Sequence, residues 1–97
     1  MTNLVALVGT KYRGREAMEM LASLPVGTAL VLKRDPANAH DPQCVEVWAR
    51  GVHIGFLKKE QNGPVSARMD AAEAVVWLDR AKLAIDGGKW PMVEIEE

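Results

Sequence analysis

Internal disulfide chemistry is closed to this chain, because Cys44 is its single cysteine. A bridge-free chain fits a reducing compartment, and the cytoplasm is the expected location. Long apolar runs are missing too: none approaches the ~20 residues of a membrane-spanning helix. Met1-Thr2-Asn3 has neither a basic start nor a cleavage-type signature, so no signal peptide and no membrane partner are expected. Excess charge of either sign is absent. Lys and Arg number 12 against 13 Asp and Glu, for a net charge of −1 and a pI near 6.1. That excludes a generic, salt-driven duplex binder with a strongly basic surface.

What remains is one globular core. The apolar share is 48% of 97 residues, enough for a folded chain and too much for disorder, so residues 1–97 read as a single domain. The charge is unevenly spread. Residues 1–59 hold eight Lys/Arg against five Asp/Glu, and residues 60–97 hold four against eight. A modest basic patch can form around Lys11, Arg13, Arg15, Lys33, Arg34, Lys58 and Lys59.

Periodicity supplies the elements. Leu4 to Val8 is a β-branched apolar run that reads as a buried strand, and Lys11-Tyr12-Arg13-Gly14 reads as a polar loop. Ala17, Met20, Leu21 and Leu24 share one helical face, which predicts a helix over 15–24 ended by Pro25 and Gly27, its Met/Leu stripe packed in the core. Thr28–Lys33 reads as a strand. The stretch from Asp35 to Pro42, with two Asp-Pro pairs and Asn38, reads as a loop. Cys44–Ala49 and Val52–Leu57 form a hairpin about Arg50-Gly51. Pro64 opens a second short helix over about 64–71. Residues 75–85 continue that helix or form one long, bulged strand. The Val-Val-Trp content favours the strand, with Asp86-Gly87-Gly88 as the turn into a last strand over Trp90–Ile95. The fold class is therefore mainly β, a small six-stranded barrel with two short helices.

Three blocks carry a family resemblance. Val8-Gly9-Thr10-Lys11-Tyr12 resembles an opening Val-Gly-x-[Arg/Lys]-Tyr. Residues Lys33 to Val47 resemble the signature Arg-x-Pro-x-Asn-x-x-Asp-x-x-Ala-Ile-x-Val. Ile54-Gly55-Phe56-Leu57-Lys58-Lys59-Glu60 resembles Ile/Val-Gly-x-Leu-x-x-Glu. In order and spacing, over residues 4–70, these are similar to the blocks of HIRAN domains, and the chain is similar to the free-standing bacterial or phage kind. The resemblance implies an OB/SH3-like barrel that binds single-stranded DNA at a free 3′ end, or RNA ends, in DNA repair or replication-fork processing beside a helicase or nuclease. It implies no cofactor and no enzymatic activity of the chain's own.

The same resemblance implies a nucleic-acid site of Lys11, Tyr12, Arg13, Asn38, His40, Asp41, Phe56 and Lys59. A carboxylate at Asp41 accepts a hydrogen bond from a terminal hydroxyl and repels the phosphate that replaces it inside a strand. Its alternative role is an Asx-turn holding its own loop. Asp41→Ala is expected to weaken binding to the free end while barely changing the melting temperature; a large loss of stability would favour the turn role. Tyr12 stacks on a terminal base or serves as an amphipathic core residue. Lys11 faces sugar and phosphate. Arg13 stands where the family has a second aromatic, His40 also replaces an aromatic, and Phe56 replaces a histidine, with plain barrel core as its alternative. Lys59, or Lys58, contacts phosphate, and Asn38 fixes the loop.

Other chemistries have weaker footing. His40, Cys44 and His53 lack metal-site spacing, Cys44 reads as a buried small hydrophobe, and no defensible nucleophile–base set exists, so catalytic and metal residues are expected to be absent. An SH3-like peptide adaptor would use Trp48, Trp77 and Trp90 as a groove, although each reads as core. A metal-dependent phosphoester hydrolase would hold its ion on carboxylates such as Asp35 and Asp41.

Overall fold

The computed structural model describes residues 2–86 and 90–96. Among them are six strands: β1 (Thr2–Val8), β2 (Ala29–Arg34), β3 (Val45–Ala49), β4 (Val52–Leu57), β5 (Val76–Asp86) and β6 (Trp90–Glu96). Three helices accompany them: α1 (Thr10–Arg13), α2 (Arg15–Ser23) and α3 (Gly63–Ala71). The strands close a barrel in the order β1-β4-β3-β2-β5-β6, with β6 pairing back to β1. Mainly-β, six-stranded closure agrees with the sequence reading. The proposed Gly87-Gly88 turn lies outside the described residues.

Strand alternation builds the interior. Val5 and Leu7, Leu30 and Leu32, Val45 and Val47, Val93 and Ile95 all point inward and are buried, as a period of two requires. Val65 and Met69 of α3 join the same core, and Met20 and Leu21 of α2 pack against it. The β3–β4 hairpin turns on Arg50 and Gly51, both at positive φ (51° and 81°), the conformation of a two-residue type I′ turn. No helix among the described residues is long and apolar enough to cross a membrane.

Three expectations need correction. The loop over Lys11–Gly14 is in fact a one-turn helix, Thr10–Arg13, begun by a bond from Tyr12 N to Gly9 O at 3.0 Å. A single turn is too short to show any apolar period, so the helix count is three instead of two. Trp90 is 70% exposed and Trp48 only half-buried, which leaves Trp77 as the one tryptophan in the core. Trp90 starts β6 on the outer face, with no layer packed over it.

Two irregularities shape the outer wall of the barrel around β4. The β3–β4 register pairs Val47 with Gly55 but Trp48 with His53, a bulge in β4. His53 and Phe56, three apart, would face opposite ways in a regular strand; the extra residue puts both on the outside. The seam between β1 and β4 has only the pairs Leu7–Leu57 and Val8–Phe56. Beyond them Lys58 N donates to Ala6 O at 2.9 Å. Ala6 N donates to the side-chain Oε1 of Gln61, also at 2.9 Å, so an amide stands in for the missing strand.

Candidate nucleic-acid interface

Loop 35–44 joins β2 to β3 and is tied at its base. Asp35 N donates to Cys44 O at 3.0 Å. The Arg34 guanidinium adds a bond to the same carbonyl at 3.1 Å and forks onto both oxygens of Asp70 in α3. At the tip, Asn38 Oδ1 accepts from His40 N and Asp41 N at 2.9 and 3.0 Å. Asp41 then uses both carboxylate oxygens. Oδ1 accepts from Gln43 N at 2.9 Å, which is an Asx-turn, and Oδ2 accepts from Asn62 Nδ2 at 2.8 Å. Lys59 Nζ donates to His40 O at 3.2 Å, drawing the end of β4 onto the loop.

Between loop and barrel lies a pocket of about 270 Å³, lined by Val8, Asn38, His40, Asp41, Cys44, Phe56, Leu57 and Lys59. Five of the residues named from sequence meet there: Asn38, His40, Asp41, Phe56 and Lys59. The other three, Lys11, Tyr12 and Arg13, are not among its walls. They sit exposed on α1, which leaves the pocket rim just after Val8, and Tyr12 is 87% exposed. A Cβ on Gly9 would lie 3.0 Å from Phe56 Cδ2, so the chain entering α1 passes directly over that ring.

Behind Phe56 stands a row of rings that sequence reasoning missed. His53 meets Phe56 edge-on at 4.8 Å and stacks on Trp48 at 5.1 Å; Lys33 Nζ sits 3.7 Å from the Trp48 ring centre. Glu46 accepts from Trp48 Nε1 at 2.9 Å. His53 Nε2 lies 2.9 Å from Gly55 O and therefore carries the ring proton. This stack backs the Phe56 wall and holds it outward. The period-two spacing of Glu46 and Trp48 was readable, but the bulge that adds His53 was not.

The titration shifts follow from burial. Desolvation, then the charges of Asp35, Glu46 and Asp41, push the Cys44 thiol up to about 11, so the sulfur in the pocket floor is an unreactive thiol at neutral pH. Desolvation first, opposed by Glu46 and aided by Arg13 and Lys33, lowers His53 below its ordinary value of 6.5. The unfolded chain then binds this proton at a pH where the folded chain does not. Stability is lost as pH falls, starting near 6.5 and continuing downward. Thermal melts at pH 7.5 and pH 5 should show a drop that shrinks in His53→Gln; an identical drop in both proteins rejects the assignment.

A second groove, of about 320 Å³, adjoins the first across Val8, which lines both. Its walls include Lys58, Gln61, Met92 and the exposed Trp90. Among the described residues no group of His, Cys, Asp and Glu is arranged to hold a metal ion.

Set beside known proteins, the chain matches the family model for the HIRAN domain over residues 3–89. Its fold is similar to a crystal structure of a protein from Lactobacillus plantarum, at 20% identity and a TM-score of 0.73, covering 100% of this chain and 98% of that one. It is also similar to the crystal structure of the HIRAN domain of human HLTF, at 20% identity and a TM-score of 0.67, covering 99% and 77%. No curated protein matches the sequence.

Proposed function

Because the chain belongs to the HIRAN family of nucleic-acid-binding modules, we propose that it binds single-stranded DNA at a free 3′ end, with the terminal nucleotide in the pocket beside loop 35–44. The observation that carries this reading is the Asp41 carboxylate, fixed through both oxygens in the wall of an otherwise largely apolar pocket. A carboxylate offers about four acceptor positions; two are filled within the protein, and the rest suit a terminal hydroxyl. A phosphate at the same place would meet like charge. Phe56 and His40 supply surfaces for the base, and Lys59 brings an ammonium for the adjoining phosphate. The neighbouring groove, with Lys58 and Trp90, suits the next nucleotide inward. Lys11, Tyr12 and Arg13 on α1 approach from the rim. The reading makes the chain a binding module, serving ends in DNA repair or replication-fork processing beside a helicase or nuclease.

Fluorescence titration of a short oligonucleotide with a 3′-hydroxyl against the same strand with a 3′-phosphate tests it. The hydroxyl strand should bind about tenfold tighter or better, the worth of one charge-assisted hydrogen bond. Equal affinity removes end recognition. An RNA strand of the same sequence, run alongside, decides between the two nucleic acids.

A further inference from the structure

Asn62 departs from local rules twice. It precedes α3 at the position where an asparagine ordinarily turns back to cap the helix's free N–H groups, yet no side-chain cap bond forms. Its side chain reaches across to the loop and donates Nδ2 to Asp41 Oδ2 at 2.8 Å. It is also fully buried, and its own Oδ1 has no partner among the described residues. A forgone cap and an unpaired buried carbonyl both cost stability. Two such costs at one residue mark a place where something other than stability set the sequence.

We infer that Asn62 is a positioning residue that makes Asp41 a selector between free and blocked strand ends; this rests on the end-binding reading above. A carboxylate only accepts, so the amide nitrogen must face it. Gln43 N holds one oxygen and Asn62 the other, so the carboxylate plane is locked and each oxygen keeps an acceptor position. The neutrality of the amide matters as much as its reach. An Arg or Lys in the same place would lock Asp41 equally well, but would cancel the negative charge that turns a terminal phosphate away. A buried neutral donor keeps the charge and fixes its direction.

The experiment measures the ratio of affinities for 3′-hydroxyl and 3′-phosphate strands in the full chain, in Asn62→Ala and in Asn62→Leu, which nearly keeps the shape and removes the donor. The ratio should fall about tenfold toward one in both variants. In an Asp41→Ala background, Asn62→Ala should change the ratio no further, because it acts through Asp41. General loss of structure would weaken both strands alike and leave the ratio where it was. Should neither variant fold, the wild-type protein still decides. The Asn62 side-chain amide resonances should shift on adding the hydroxyl strand and stay put with the phosphate strand; no difference overturns the inference. A wild-type ratio of one sinks the end-binding reading itself, whereas a high wild-type ratio kept by both variants sinks only the role of Asn62.

Discussion

Gly55→Ala is expected to lower the melting temperature by about 10–20 °C, from roughly 3 kcal/mol of overpacking in a chain this small. A Cβ at this position would lie 2.7 Å from the Val8 carbonyl oxygen, 3.0 Å from Leu7 Cδ1 and 3.1 Å from Thr10 Oγ1. The nearest of these is backbone, in the short stretch where β1 still pairs with β4. It cannot swing aside as a side-chain tip would. Relief has to come from parting β1 and β4 at their only two rungs, and Val8 and Phe56, which form one of them, are both pocket walls. The variant should therefore lose ligand affinity as well as stability. Thermal melting decides it, and a shift below about 4 °C, worth less than 1 kcal/mol, would mean that the seam yields easily. Gly51 makes the useful contrast: nothing lies within 4 Å of a Cβ there, so Gly51→Ala meets only the turn's positive φ and should cost about 1 kcal/mol.

Asp41→Ala is expected to cut affinity for a 3′-hydroxyl strand by about 10- to 100-fold, the loss of a hydrogen bond to a charged group. It should also destabilise the fold by about 2 kcal/mol, because Asn62 Nδ2 would stay buried without its acceptor. The sequence alone suggested a nearly unchanged melting temperature. The bond to Asn62, twenty-one residues away, revises that expectation. The Asx-turn and the ligand role no longer compete, since the carboxylate holds its loop and keeps acceptor positions free. Stability and binding must accordingly be measured together. An unchanged melting temperature would discount the buried amide bond, and unchanged affinity for the hydroxyl strand would reduce Asp41 to a loop fastener.

Much of the barrel was legible because its signals are local. A β-branched apolar run placed β1, alternation placed β3 and the Arg50-Gly51 turn placed β4, each to within a residue or two, and the Val-Val-Trp content placed β5 as a strand where helix was the rival reading. The insertion in β5 is visible in the register, where Leu30 and Leu32 pair with Ala81 and Trp77. The loop chemistry of Asn38 was legible for the same reason, since its partners His40 and Asp41 follow within three residues. What escaped was non-local or too short. One turn of helix at Thr10–Arg13 has no period to read. The bulge that aligns His53 with Phe56 depends on which β3 residue each one faces. Asn62 carried no signal of its own beside Pro64, and Trp90 looked like an ordinary strand residue. Only the folded chain shows that the first turns toward Asp41 and the second stands exposed beside a groove.

The pairing of β1 with β6 has one more consequence. Thr2 lies opposite Glu96, so the two ends of the described chain leave the barrel side by side. Val8, on the pocket wall, is six strand steps further along β1, about 20 Å away at roughly 3.3 Å per step. A host polypeptide can therefore receive this unit within a surface loop, spliced at both adjoining tails, with the pocket beside loop 35–44 set well apart from the graft.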